Sequence, residues 1–454
     1  MKTALRNVAS IYRHKKRYTF MFGVLFCFYT WLLYKVLDTN WKNDFFCFYN
    51  SAKNLLHHLN PYVPYDIPGK FENMPINYNP PFTIITESIL ALFSRPVATA
   101  LWILLSLGAV SIGYKIVLTL LPQKALSKKY PWFVFLCVLS STCVIKNALT
   151  GQMGNFLFLL LIAGYYFYQQ KKDLPAGIFW GILTSLKFFP ALLLIYSWQK
   201  NRARVAYIML ITIVVCSSFP YFIYGSAPYF QYIAALKTSV IVINASWNAS
   251  ILGLMARLTS PTSTLSYYSY YHVHNLDLLF PGLAPLKYSY IFILFCSLIA
   301  YFNYLKRDND TPENHQSFNF TICLMLLLSP LGWNYYFPML ILPVLSTWES
   351  MVVKNQTAGT VMLWLGSIAL LNFSTDFRTP SMSTFSVLYE VGYHSSACIG
   401  LLLLTYLTLQ TPSPQKIRLL PLKTAINFLF FIIAMGIVSC LLWPLCNTLA
   451  GRTL

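Results

Sequence analysis

Charge is what this sequence lacks. Charged residues make up 10% of the chain, against roughly 25% in a soluble domain. Only 13 of the 454 residues are Asp or Glu. Water is therefore not the main solvent of the folded chain. The ten cysteines have neither disulfide nor metal-ligand spacing. Most lie inside apolar runs (Cys27, Cys137, Cys323 and Cys440) and read as small packing residues. No soluble basic module with interleaved aromatics is present, so the net charge of +20 does not point to nucleic acid. No small-residue cleavage site follows the basic N-terminus, and the expectation is an uncleaved first helix. No internal repeat is evident.

What the chain has is apolar length. Hydrophobic residues are 57% of it and the mean hydropathy is +0.55. Runs of about 20 apolar residues, each able to cross a bilayer, recur along it. The expectation is one all-α polytopic membrane domain over 1–454, a bundle of roughly 11–13 transmembrane helices with large outer loops. Lys and Arg cluster beside the apolar runs, as the positive-inside rule requires. Met1 to Arg17 is then cytoplasmic and Tyr18 to Leu37 leads outward into a first outer loop, 38–96. Phe82 to Phe93 is too short to span and reads as interfacial or re-entrant. Trp132 to Ala148 goes out and Phe156 to Tyr168 returns. Leu174 to Trp198 has span length but basic residues on both flanks, and Lys187 and Pro190 interrupt it. Two short helices that dip in and return resolve the parity, with Lys187 near the turn, facing a wet cavity or an anion. A second outer loop follows at 225–287, a third holds Asp376 and Arg378, and Asn427 to Trp443 is the last span.

Because acidic residues are scarce, their placement is informative. Asp44 sits in Trp41-Lys-Asn-Asp-Phe-Phe-Cys-Phe-Tyr49, where aromatic neighbours raise a carboxylate's proton affinity and suit it to general base work. The alternative is a helix N-cap, which Asp also favours. Asp308-Asn-Asp310 has the form of a metal-binding Asp-x-Asp, but a solvated cytoplasmic loop explains it better. His57-His58 and His272-x-His274 lack a second ligand pair. No metal or cofactor is implied.

An ordered set of motifs resembles glycosyltransferase family 87, the polyprenol-phosphate-mannose-dependent mannosyltransferases with the GT-C membrane fold. Asp44-Phe-x3-Tyr49-x2-Ala52-x7-Asn60-Pro61-Tyr62, then Tyr78-Asn-Pro-Pro-Phe82, resembles the family's first outer loop. Gly151-Gln152-x2-Asn155 resembles its Gly-Gln-x-Asn helix start. Ala176-Gly177-x3-Gly181-x5-Lys187-x2-Pro190 resembles its Ala-Gly and Lys-x-x-Pro segment. Asn248-x-Ser250-x2-Gly253-x3-Arg257 and Ser329-Pro-x2-Trp333 resemble two later segments. One position departs: where the family's turn continues to a His, this chain has Tyr335, which donates a hydrogen bond but carries no positive charge.

The resemblance implies a GT-C-like bundle that transfers a hexose, mannose in the family, from a polyprenyl-phosphate donor to a glycolipid or glycan acceptor with inversion. It implies Asp44 as the catalytic base, with Lys187 and Arg257 on the donor phosphate. His58, Tyr62, Tyr78, Gln152, Asn155, Asn248, Trp333 and Tyr335 would line the substrate site, the aromatics among them stacking on sugar or prenyl groups. It places the protein in a bacterial inner membrane with the site facing the periplasm, in contact with membrane lipids. Two other readings fit parts of the sequence. A lipid-linked sugar flippase or transporter also uses broken helices and a mid-segment lysine, and a polysaccharide polymerase or ligase would draw on a pyrophosphate carrier.

Overall fold

The computed structural model describes residues 44–63, 77–122, 125–238, 240–242, 245–259, 272–274, 284–307, 315–353, 358–372 and most of 19–34 and 391–410. The basic N-terminal segment, Trp41, Asp308-Asn-Asp310, Asp376, Arg378 and the expected last span lie outside the described residues, as does much of the loop at 225–287.

Apolar α1 (Phe22–Trp31) precedes α2 (Asp44–Leu56), α3 (Pro81–Ser88), a 3₁₀ turn at Leu90–Leu92 and the long α4 (Arg95–Leu120). Short α5 (Leu126–Lys129) leads to α6 (Pro131–Leu139), α7 (Thr142–Thr150) and α8 (Gly154–Gln169). Next come α9 (Asp173–Leu186), a 3₁₀ turn at Phe189–Ala191, α10 (Leu192–Gln199), α11 (Ala203–Tyr224) and α12 (Ala227–Thr238). The chain continues through α13 (Ile251–Thr259), α14 (Ala284–Arg307), α15 (Gln316–Leu328) and a 3₁₀ segment at Asn334–Leu340. It closes with α16 (Ile341–Val353), α17 (Ala358–Asn372) and α18 (Ser396–Gln410). Two short strands, β1 (Val240–Val242) and β2 (His272–His274), pair antiparallel with Val240 opposite His274. They put His272 and His274 on a strand and are the one sheet among the described residues.

The helices are those of a polytopic membrane protein. Among the described residues α4, α11 and most of α14 are long and apolar enough to cross a bilayer, and α6 with α7 makes a fourth such span. α1, α15, α17 and α18 are shorter apolar helices. The expected last span and part of the first lie outside the described residues. The runs at 132–148 and 174–198 fold as broken pairs, and α15, α17 and α18 stop at 13, 15 and 15 residues.

The α6–α7 pair bends by 48° at Ser140 and Ser141, and side chains take up the backbone groups the break releases. The Tyr29 hydroxyl donates to the Leu139 carbonyl at 2.6 Å. The Thr142 N–H donates to Asn372 Oδ1 at 3.1 Å, and the Thr142 hydroxyl to the Asn372 carbonyl at 2.7 Å. In hydrocarbon such groups need internal partners, and a break with polar insertions is how a helix kinks.

Leu174 to Trp198 folds as the parity argument requires. α9 ends at Leu186, Lys187 leaves the helical region, and α10 returns. Both feet of this hairpin are tied together, because Arg202 after α10 pairs with Asp173 at the start of α9. α9 runs parallel to α11 at close range. A Cβ on Gly177 would sit 2.7 Å from Ile208, and one on Gly181 2.5 Å from Thr212, so each glycine meets the residue 31 positions further on. Small residues four apart let the two backbones approach, as helices in lipid do. On the other side Trp180, fully buried, donates its indole N–H to the Leu161 carbonyl at 3.1 Å. The core continues through stacked Tyr165 and Phe318, ring centroids 3.6 Å apart.

These contacts separate the two ends of the bundle. At one lie the Arg202–Asp173 pair, His315 against the Leu120 carbonyl at 3.0 Å, and Glu349 accepting from the Ser127 N–H and hydroxyl at 2.9 and 2.6 Å. At the other lie the hairpin apex, α2, α3 and the start of the 3₁₀ segment at Asn334. Replacing Gly181 by Leu forces α9 and α11 apart and should lower stability by about 1–3 kcal/mol. Gly108→Leu, where nothing stands within 4 Å of an added Cβ, should change it by less than about 0.5 kcal/mol. Thermal unfolding of the detergent-solubilised protein reads both, and equal effects would refute the parallel packing.

Candidate functional site

Asp44 opens α2, where a carboxylate faces the positive end of the helix dipole. What fixes its surroundings is the turn between α7 and α8. Gly151 ends α7 with φ of 72°, and a Cβ there would lie 2.4 Å from Phe45 Cβ. Only glycine accepts both the left-handed backbone and the close approach of α2. The next residue, Gln152, is buried and donates Nε2–H to Asp44 Oδ2 at 2.5 Å. Gly154 serves a third segment: a Cβ on it would meet the Tyr335 carbonyl at 1.8 Å. That carbonyl accepts from Asn147 Nδ2 at 2.6 Å, and the Tyr335 side chain stands within electrostatic range of Asp44. The Gly-Gln motif is thus the place where α2, α7–α8 and the 3₁₀ segment meet.

Lys187 arrives from the apex of the α9–α10 hairpin. It is half-buried, and its ammonium donates to Asn79 Oδ1 at 2.5 Å. Asn79 is itself held twice. Its N–H donates to Asn77 Oδ1 and its carbonyl accepts from the Tyr62 hydroxyl, both at 2.9 Å. The Thr83 hydroxyl donates to the Leu186 carbonyl at 3.1 Å, joining α3 to the apex directly. Lys187 and Asp44 act on one another electrostatically without closing a contact ion pair. Burial raises the Asp44 carboxyl above its ordinary value, and the Gln152 bond and the Lys187 charge pull it back.

A residue absent from the sequence reading stands here as well. Glu87 of α3 is 1% exposed, beside Lys187 and Asn77, and burial pushes its carboxyl up to about 8. Neither carboxyl oxygen has a partner at good hydrogen-bond geometry among the described residues, and the Asn77 amide beside it offsets only part of that rise. Its one signal in the sequence was its type, an acid inside a short apolar segment. Its partner lies far along the chain.

The other expected residues divide. Asp44, Gln152, Lys187 and Tyr335 come together, and Tyr62 reaches the cluster by positioning Asn79. Tyr78 is half-buried in the turn entering α3. Trp333, half-buried, lies 6.0 Å from the Tyr335 ring. Asn248 is committed to the Ser329-Pro turn: its Nδ2 donates to the Pro330 carbonyl at 3.1 Å and its Oδ1 accepts from the Gly332 N–H at 3.0 Å.

Arg257, expected on the phosphate, is fully buried and donates to the carbonyls of Ala245 (2.7 Å) and Asn248 (3.0 Å) and to the Ser395 hydroxyl (2.8 Å). Among the described residues no contact joins it to Asp44 or Lys187. Its donors hold the Asn248 loop, which in turn bridges to Trp333. Asn155 is turned into the bundle, where its Nδ2 donates to the Ser106 hydroxyl at 2.8 Å. His58 is exposed beyond the far end of α2, about 20 Å from Asp44 at 1.5 Å rise per residue, with its ring 5.5 Å from Tyr224.

A helical membrane protein that gathers a half-buried carboxylate, an apical lysine and a tyrosine at one end has groups suited to a group-transfer reaction. The profile of glycosyltransferase family 87 matches residues 77–330, more than half of the chain. This protein belongs to glycosyltransferase family 87, and it is a membrane glycosyltransferase that takes a sugar from a donor to an acceptor. The transporter reading falls with that, since the family is one of enzymes. The matched span includes Glu87, Gln152, Lys187 and Arg257, while Trp333 and Tyr335 follow just after it and Asp44 lies well before it. No curated protein and no solved structure compared with the chain matches it.

Gly151→Ala should displace the start of α2 and with it the Asp44–Gln152 bond. A misplacement of about 1 Å at reacting groups costs about 100-fold in rate, and a loss of at least tenfold is expected here. Gly225→Ala, also at positive φ (70°) but with nothing within 4 Å, supplies the control. A Gly151→Ala enzyme as fast as the Gly225→Ala enzyme would refute the docking role.

Proposed function

We propose that this enzyme transfers mannose from a polyprenyl-phosphate carrier to a glycolipid or glycan acceptor, with inversion, at the end of the bundle that holds Asp44. The observation that carries this reading is the pairing of Asp44 with Lys187 across α2 and the hairpin apex. Asp44, oriented by Gln152, accepts the proton of the acceptor hydroxyl. The acceptor oxygen bonds to the anomeric carbon from one face as the bond from that carbon to the phosphate oxygen breaks on the other. The released electron pair stays on the lipid phosphate, which faces Lys187. A fixed cation at the point where charge develops is the largest kind of electrostatic help a site gives. Tyr335 contributes a hydroxyl beside the base, and Arg257 acts through the Asn248 loop and Trp333 rather than on the phosphate. The donor reaches the site from the bilayer, so its prenyl chain never leaves hydrocarbon.

In this proposal the site end faces away from the cytosol, toward the periplasm of a bacterial inner membrane. Lys128, Lys129, Lys171, Lys172, Lys200, Arg202 and Arg204 all belong to the other end, and such clusters stay on the cytoplasmic side.

The test is reconstitution in liposomes with mannosyl phosphoryl polyprenol and an extract of envelope glycolipids, with products read by mass spectrometry. Asp44→Asn should lower transfer by about 100- to 10,000-fold, the range for a general base. Lys187→Gln should lower it by about 100- to 1,000-fold, as for a lost oxyanion partner. A folded Asp44→Asn enzyme at the wild-type rate would overturn the mechanism, and preferential use of a pyrophosphate-linked donor would overturn the carrier.

A further inference from the structure

One lysine stands between two carboxyl groups. Lys187 acts electrostatically on both Asp44 and Glu87, and Cys47, one turn into α2, lies in range of both acids. The two carboxyls are furnished differently. Asp44 receives the Gln152 N–H, a bond that favours its anion. Glu87 is served more weakly: both its oxygens are buried with no partner at good hydrogen-bond geometry, and the adjacent Asn77 amide, its own Nδ2 likewise unpaired, offsets only part of what burial does to the carboxyl. The Lys187 ammonium is committed to Asn79 rather than to Glu87. Besides Cys47, the Tyr62 hydroxyl faces Glu87, a neutral donor already spent on the Asn79 carbonyl. α12 adds Tyr229 and Tyr232, both facing Tyr62. Two anions and one cation out of water would leave a net buried charge, which is costly. A single proton removes it, and hydrogen bonding decides where that proton sits. When environments push two acids apart, the better solvated one ionises.

We propose that Glu87 is a positioning residue that carries the one proton of the Asp44–Lys187–Glu87 cluster, so that Asp44 stands ionised as the base and Lys187 stays charged without being drawn into an ion pair with Glu87. The inference deepens the proposed function and rests on it for its catalytic meaning, but the protonation itself is read independently of transfer. An ionised Glu87 would compete with the departing phosphate for Lys187. A neutral one leaves the ammonium to the phosphate. The arrangement requires no net proton exchange at Glu87 during turnover: the acceptor's proton goes to Asp44, and Glu87 keeps its own.

Infrared spectroscopy of the detergent-solubilised enzyme tests this. At neutral pH the spectrum should contain the carbonyl band of a buried, protonated carboxylic acid. The band should persist in Asp44→Asn, vanish in Glu87→Gln, and titrate away in the wild type as pH rises past about 8. Thermal unfolding gives a second reading. The unfolded chain releases this proton near 4.5 and the folded chain near about 8, so stability should fall as pH rises between those values, and Glu87→Gln should flatten that slope. In liposomes Glu87→Gln, which keeps a neutral group of the same shape, should transfer at least about tenfold faster than Glu87→Ala. A neutral-pH band that survives Glu87→Gln and disappears in Asp44→Asn would move the proton to Asp44 and overturn the proposal. So would the absence of any such band, or equal loss of transfer in the two Glu87 variants. Loss of transfer activity with the bands as expected would instead count against the catalytic reading alone.

Discussion

A carboxylate and an ammonium held near each other, out of water and without touching, set the terms for everything around them. Each would be costly alone in a bundle this apolar. In direct contact they would neutralise one another and have nothing left for a substrate. The structure interposes amides. Gln152 takes the Asp44 carboxylate and Asn79 takes the Lys187 ammonium, and both amides are themselves fixed by the backbone that carries them. In the proposed reaction the charge each group keeps is what a hydroxyl and a phosphate would meet in a gap between α2 and the hairpin apex.

Building that gap requires helices that stop part-way. A lysine in the middle of an intact span would face lipid or a wall of side chains. At the apex of α9 and α10 it ends a helix, and the two feet of the hairpin are clamped by Arg202 and Asp173 at the opposite end. α6 and α7 break for a related reason, because the straight path would not bring Gly151 against Phe45. Each break frees backbone groups, and Tyr29, Asn372 and Thr83 take them up. Much of the polar inventory of this chain goes to satisfying interrupted backbone rather than to chemistry.

The motifs that resemble the family read differently once placed. Gly151 and Gly154 are contact points where three segments touch. Gly177 and Gly181 let α9 lie along α11. Asn248 and Arg257 tie a loop to the turn that presents Trp333 and Tyr335. Such residues set distances, since they decide where Asp44 and Lys187 stand, and in the proposed mechanism they differ from the few side chains that would meet a substrate. Glu87 belongs between the two groups, close enough to shape the charge of the site and too buried to meet an acceptor.

The sequence by itself determined the solvent, and with it the class of fold: too few charges for water and apolar runs of bilayer length leave only a helical membrane bundle. It also determined the break at Lys187, because a cation and a proline inside an apolar run with basic flanks have no other economical path. Asp44 was legible for the same reason, as a rare acid among aromatics just past a first helix. Only the tertiary structure decided which cations reach that acid. Arg257 and Lys187 look alike in sequence, but Arg257 Nη1 is spent on the Ala245 and Asn248 carbonyls and its Nε on the Ser395 hydroxyl, while Lys187 is held by a single amide. Glu87 showed locally only as an acid inside a short apolar segment, and its meaning comes from a lysine brought beside it by the fold. Charge–charge proximity falls off with distance in space, not along the chain, and the chain records only the latter.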